Sequence, residues 1–431
     1  MTLRNKVAAA AVATAMVASL AACGGSKSAQ GNTTITVWAW EPLISKTVAG
    51  FEKENPTIKV KVVNAGTNNK EYTALTNAVN AGSGAPDIAQ LDFNAVPQYA
   101  YSGALEDLGQ FGGDKIAKQF TTGAQAGVTI GGKVYGVPMG TGPMALFYNK
   151  AVFDKAGVTE APKTWNEYYE AAKKIHALGA QNYITSDSGD AGFALSMIWL
   201  AGGSPFKVSG KKVDINLTTD PGVKKFTDFW QKMIDAGLID TKTAGWSDDW
   251  FRGLSNGSLS SLMTGAWMPI TLKTSAKQAS GDFRVATMPT PDGSAVNSEN
   301  GGGALAVIKG SKNAEAAYKF AKYVGIGGGN KTFTEGGSFP PDTATLNSKA
   351  FTSKTDEYFG GENANAVLAQ SAKNVKTKFT FLPYQVYANS IFGDTVGKAF
   401  NDKGTTLAQG FKAWQDKLVA YGNEQGFEVN K

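Results

Sequence analysis

Apolar and polar positions along this chain fall into short periodic runs that mark out most of its elements. Residues 35–39 alternate as a strand, and Ile44, Val48 and Phe51 then recur at helical spacing behind Pro42, a residue suited to a first helical turn. Asn55-Pro56 stops that helix, and Ile58, Val60 and Val62 alternate as a second strand. Tyr72, Leu75 and Val79 mark the next helix, which ends at Gly82, and residues 87–91 form a third strand. Strand, helix, strand, helix, strand predicts a mostly parallel α/β sheet, whose ligands bind beyond the carboxyl ends of the strands. Farther on, residues 134–137 and 145–148 read as two strands separated by a loose segment at 138–143. Helical signals follow at 165–178, 191–200, 223–236 and 249–256. A small-residue strand at 261–263 precedes Thr264-Gly265-Ala266-Trp267, and Gly301-Gly302-Gly303 leads into a strand at 304–308 and a helix at 314–324. The closing helix carries Leu407, Phe411, Trp414, Leu418 and Tyr421 on one face. The glycine-rich passages at 140–142 and 301–303 suit interdomain crossings, because glycine tolerates the backbone changes of a hinge.

The start of the chain has a different pattern. A basic beginning (Arg4, Lys6) precedes an apolar run from Val7 to Leu20, then Leu20-Ala21-Ala22-Cys23. That run is too short for the ~20 residues of a spanning helix. It reads as a bacterial lipoprotein signal peptide over residues 1–22, with lipid attached to Cys23 as the first mature residue. Residues 23–34 then form a flexible polar tether, wandering ~18 Å from the lipid. The working protein is therefore expected outside the cytoplasm, anchored to the outer face of the cell membrane.

Composition narrows the chemistry. Beyond the leader, the chain is long enough for two domains with their own cores. Cys23 is the only cysteine, so neither a disulfide nor a thiolate metal site can form. His176 is the only histidine, which excludes His-cluster metal sites, and it falls on an amphipathic helix where a solvated side chain is expected. The net charge of +6 comes from scattered lysines rather than a basic stripe, so nucleic-acid binding is not supported. No phosphate loop, nucleophile elbow or metal-ligand cluster is present. No catalytic residue, metal or cofactor is assigned.

Five passages together resemble the extracellular solute-binding proteins of ABC importers, in the sugar-binding branch that includes maltose-binding protein. They are Ile-Thr-Val-Trp-Ala-Trp-Glu-Pro at 35–42, Phe-Glu-Lys-Glu-Asn-Pro at 51–56, and Gly-Ala-Pro-Asp-Ile at 84–88 with Asp92-Phe93-Asn94. Tyr-Gly-Val-Pro at 135–138 through Phe-Tyr-Asn-Lys at 147–150, and the segment 257–267 ending in Gly-Ala-Trp, complete the set. The resemblance implies a two-lobed periplasmic-binding-protein fold (type II), two α/β domains joined by hinge strands that close on a ligand. The first lobe would comprise 33–143 plus 304–378, the second 144–303 plus 379–431. It also implies a monomer that delivers an oligosaccharide to permease subunits. This chain departs from the pattern at Asn94-Ala95, where maltose-binding protein has a charged pair, and at Gly142, where that protein has a glutamate in the first crossover.

A sugar presents hydroxyls at its ring edge and C–H patches on its faces, so its pocket needs polar side chains around a rim and an aromatic platform. Trp40 and Glu41 follow the first strand; Asp92, Phe93 and Asn94 follow the third. Glu41 could equally cap its helix, and Asp92 and Asn94 could simply form a turn. The family position matching Trp267 stacks on a sugar ring. Trp246 and Trp250 flank Asp248-Asp249 and could wall the pocket, whereas Trp199 reads as core. Asp190 and Phe193 fall where the family often meets ligand. Gly302 and Gly303 would let backbone approach the sugar, Phe339 would line the floor, and Tyr384, Tyr387 and Asn389 resemble the family's last ligand-contacting segment. Asp87 reads as structural. The aromatic supply favours a di- to tetrasaccharide. Two other readings stay open: a receptor for a polyol or glycerophosphodiester, and a secreted glycosidase or lyase.

Overall fold

Strands β1 (Thr33–Trp38), β2 (Ile58–Val63) and β3 (Ile88–Asp92) pair in parallel, with β1 between the other two. They belong to a computed structural model that describes residues 32–402 and 404–431, so Cys23, the leader and the tether up to residue 31 lie outside it. Ile35 and Val37 of β1 point into one core while Thr36 and Trp38 face the other side of the sheet, where Trp38 packs against another cluster around Tyr72 and Tyr99, as period-2 alternation requires. Helix α1 (Pro42–Glu54) connects β1 to β2; its buried face is Leu43, Ile44, Thr47 and Phe51, and Asn55 caps its end. Helix α2 (Asn69–Asn80) connects β2 to β3. Asp87 is structural as expected: its carboxylate accepts from the Thr36 N–H (2.7 Å), the Ser311 hydroxyl and Asn313, tying the start of β3 to β1.

The crossovers differ from their sequence expectation. Residues 138–143 are not a loose connection between two strands; Val137–Asn149 is one 13-residue strand, β4. β5 (Ser261–Gly265) and β6 (Phe283–Ala286) pair antiparallel with its second half. β7 (Glu299–Val307) pairs antiparallel with its first half and with β3. The sheet order is therefore β5-β4-β7-β3-β1-β2, with β6 also on β4. Pro138 and Pro143 lack the N–H that a regular ladder needs, which is why the sequence reads as interrupted. Both sit beside irregularities: the β4–β7 register shifts between Gly303 and Ala304, opposite Pro138, and between Glu299 and Gly302, next to Pro143. The bulges absorb the missing donors.

Hydrophobic side chains gather into separate cores on either side of these crossovers. One contains Ile35, Val37, Phe51, Val137, Leu305 and Phe320. A second contains Met144, Leu146, Phe153, Trp230 and Trp414. β4 thus feeds the first core with its beginning and the second with its end, and its opposite face supplies Ala145 and Phe147 to a third core around Leu254, Leu272 and Phe283. Residues 346–372, expected with the first lobe, pack in that third core through Leu346, Phe351, Phe359 and Leu368. The chain returns earlier than 378. After Pro340-Pro341, Thr343 N–H donates to Gln119 O, and Thr121 N–H donates to Pro341 O, both at 2.9 Å. Beyond that clasp, the chain leaves the first body.

The expected helices form at α3 (Trp165–His176), α4 (Ala191–Leu200), α5 (Pro221–Asp235), α6 (Asp248–Asn256), α7 (Ala314–Ile326) and α8 (Leu407–Glu424). His176 is not a free solvated side chain. It is half-buried against Tyr183, with Nδ1 2.9 Å from Asn182 O, because the chain after α3 folds back over it.

Candidate ligand-binding cleft

The carboxyl ends of β1 and β3 open onto a cleft of about 590 Å³ that the second body walls on its far side. At its near wall, Gln90 of β3 accepts from the backbone N–H groups of Trp40 (3.1 Å) and Glu41 (3.0 Å), fixing the turn that presents both side chains. Glu41 lines the cleft and also caps α1, accepting from Leu43 N–H at 3.1 Å. The two readings of Glu41 coexist. Asp92 follows the last apolar residue of β3. Its Oδ2 accepts from Tyr72 Oη (2.8 Å) and from Asn68, while its own N–H donates to Tyr72 Oη (3.1 Å). Burial pushes this carboxyl up to about 6 against the lowering effect of those two donors. Asn94 lines the same wall.

Phe93 is a wedge as much as a lining group. Only 4% exposed, its ring lies where a Cβ on Gly127 or Gly302 would come within 2.4 or 2.6 Å of it. Gly302 (φ 89°) and Gly303 line the cleft on the crossover, and Phe339 also lines it. On the far wall, Trp267 is anchored by a 2.7 Å bond from Nε1 to Asn300 O, and Trp246 stacks on it at 5.5 Å and 24°. Asn389 lines the cleft nearby, its Oδ1 accepting from Gln385.

Five expected lining residues lie elsewhere. Asp190 caps α4, accepting from Phe193 N–H at 2.6 Å; Gly192, Leu195 and Ser196 of that helix face the cleft instead. Trp250 is buried behind Trp246 in the third core. Tyr384 is buried against Tyr421 and Phe427, and Tyr387 stacks on Tyr421 at 3.5 Å. Phe193 packs on Trp230. Conversely Trp199, expected as core, shows an edge to the cleft, its Nε1 bonded to Lys376 O (2.7 Å) and its ring stacked on Phe379 at 5.0 Å and 8°.

Glu299, unremarked in the sequence, is the most consequential lining residue that was missed. Its carboxylate accepts from the Thr141 hydroxyl (2.9 and 3.0 Å) and from Gly142 N–H (2.7 Å), and burial pushes it up to about 8. A glutamate on the second crossover thus reaches the glycine that stands where maltose-binding protein has one on the first. Its position two residues before the Gly301-Gly302-Gly303 run was the available signal. Among the described residues, no lysine or arginine lines the cleft, and no group of three His, Cys, Asp or Glu could hold a metal ion. Arg252 pairs with Asp249 and Arg284 with Glu362, both away from the cleft.

The sequence profile described as bacterial extracellular solute-binding protein matches residues 46–360. The chain belongs to this family. The ABC-transporter-associated binding protein of B. animalis subsp. lactis Bl-04, solved in complex with β-1,6-galactobiose, is 52% identical with a TM-score of 0.82, over 93% of this chain and 100% of that one. The galacto-N-biose/lacto-N-biose I-binding protein of Bifidobacterium longum, solved with lacto-N-biose, is 29% identical with a TM-score of 0.79, over 93% and 100%. The lactose-binding protein of Rhizobium radiobacter is 24% identical over 97% of this chain and 98% of its own. This solute-binding protein has the two-lobed α/β architecture of those structures, acts outside the cytoplasm, and is a binding protein rather than an enzyme.

Proposed function

We propose that this solute-binding protein captures a galactose-containing di- to tetrasaccharide between its lobes and hands it unaltered to ABC permease subunits. The carrying observation is the cleft itself: indole walls at Trp40, Trp199 and Trp267, carboxyl groups at Glu41, Asp92 and Glu299, and no cationic side chain among the described residues that line it. Flat rings match the C–H faces of a pyranose, and carboxylates accept from its hydroxyls. An anionic phosphodiester would find no cationic side chain among the described lining residues to offset its charge, which disfavours that alternative. The disaccharides named for the related proteins support the galactoside assignment. The packing supports a division at the three crossings, with 32–141 and 302–342 in one lobe and 142–301 and 343–431 in the other. Lipid on Cys23 would hold the receptor, as a monomer, at the outer face of the membrane. The sequence of residues 1–23 supports this.

Calorimetry and thermal shift with β-1,6-galactobiose, lactose and galactose test the reading. A disaccharide at a hundred times its Kd should raise stability by about 2.7 kcal/mol and be recovered intact, with galactose binding more weakly. No binding by either disaccharide removes the proposal, and cleavage of one replaces it with a hydrolase.

A further inference from the structure

Trp246 is 56% exposed, more than any other large apolar side chain among the described residues, and its backbone holds φ 69°. A bulky L-residue rarely adopts that conformation, and local strain of this kind concentrates where a side chain must be aimed. Ordinary structural roles do not account for it. The N-cap of α6 is Ser247, whose hydroxyl accepts from Trp250 N–H at 3.2 Å. Packing the core falls to Trp250, 8% exposed directly behind Trp246 at 5.6 Å. Trp246 instead stacks on Trp267, at 5.5 Å and 24°, with Phe251 edge-on against it at 6.3 Å. Trp267 is in turn fixed to Asn300 O. Two indoles, nearly parallel and laterally offset, therefore step outward from the cleft interior to its mouth. Their spacing is comparable to one sugar unit of an extended chain.

We propose that Trp246 is a rim platform for a third, outer sugar, so that the cleft is open-ended on this side and favours linear trisaccharides over disaccharides. The inference rests on the oligosaccharide reading above and adds to it the direction of chain growth and the residue that senses chain length. An offset stack leaves a ring face available at each step, and that face offers a sugar apolar contact without demanding a particular linkage.

The test is calorimetry with β-1,6-linked galactobiose and galactotriose on the wild type, Trp246→Ala and Trp246→Tyr, each checked for unchanged secondary structure. The readout is the ratio of the two affinities, which general destabilisation does not change selectively. The wild type should bind the trisaccharide about tenfold more tightly than the disaccharide, as for an aromatic anchor at a binding surface. Trp246→Ala should bring the ratio near one, and Trp246→Tyr should keep most of it. A ratio unchanged in Trp246→Ala, or near one in the wild type, overturns the platform while leaving the receptor reading intact. No binding of either sugar to the wild type overturns both.

Discussion

Glu71 is fully buried, and neither of its carboxyl oxygens has a hydrogen-bond partner. Burial first, and then the nearby Asp92 charge, pushes it up to about 8, so it is held neutral at pH 7. Around it stand Asp92, raised to about 6, and Tyr99, raised to about 12, both mainly by burial. Tyr72 sits between, spending its hydroxyl on Asp92 and keeping that carboxylate aimed along the cleft wall. A folded-state pKa above the unfolded value means that the native state binds the proton more tightly. The associated stability is present below about pH 4.5 and is lost as pH rises through about 8. Glu71→Met should therefore stabilise the protein by about 1–3 kcal/mol, and by more at pH 8 than at pH 5. Chemical denaturation at both values checks this; a destabilised variant at pH 8 would show that Glu71 has a partner. Asp92 was legible because it ends a strand, where α/β sheets present ligand groups. Glu71 was hidden because a glutamate on a helix reads as solvated. Yet it sits four residues before Leu75, on the same buried face.

At the scale of elements, β4 and β7 together make the back of the cleft, and Gly302 of β7 is wedged between the Phe93 ring and Thr141 of β4. A Cβ there would lie 2.6 Å from the Phe93 ring and 3.2 Å from Thr141 Cα, at a φ of 89° that side chains avoid. Gly302→Ala should lose about 1–3 kcal/mol of stability and weaken sugar binding as the Phe93 ring shifts. Gly310→Ala separates the two causes, since Gly310 shares the positive φ (83°) but has nothing within 4 Å of its Cβ position. Equal losses in the two variants would show that backbone strain alone matters at Gly302. The first three strands and their helices were readable because their signals are local: alternation, helical spacing and a stop at Asn55-Pro56. β4 was not, because its continuity depends on β7, some 160 residues away, supplying bulges where Pro138 and Pro143 break the ladder. The segment 346–372, expected with the first lobe, packs in the third core for the same reason. Which core receives it depends on the contacts of Gln119 and Thr121 with Pro341 and Thr343, more than 200 residues apart in sequence, which local periodicity does not encode.

For the whole molecule, binding must be linked to closure, and a ligand achieves this only by touching both lobes in the closed state. The lobes already meet in this structure: Val386, beyond the crossings, packs against the cluster of Tyr72 and Tyr99. Glu299 stands at the pivot. Its carboxylate holds Thr141 and Gly142 of the other crossover and presses so closely on a first-lobe helix that a Cβ on Gly123 would lie on Oε1. Its carbonyl meanwhile accepts from Ser196 Oγ of α4 at 2.7 Å, on the second-lobe side. With the carboxyl raised to about 8, it is neutral below that pH, and a glutamine can reproduce its acceptor to Gly142 N–H. Glu299→Gln should consequently match the wild type in stability and sugar-induced compaction at pH 6. Glu299→Ala should lose about 1–3 kcal/mol for each donor left unpaired and release sugar faster. As pH rises through about 8 the wild type must ionise a buried group and loses stability, whereas the glutamine variant does not, so their melting curves should diverge in the glutamine variant's favour. Thermal melts from pH 6 to 9, with small-angle scattering for compaction, give both readouts. If Glu299→Gln is as damaged as Glu299→Ala at pH 6, the group is ionised in the native hinge, and closure depends on a charge rather than on a neutral hydrogen-bonding acid.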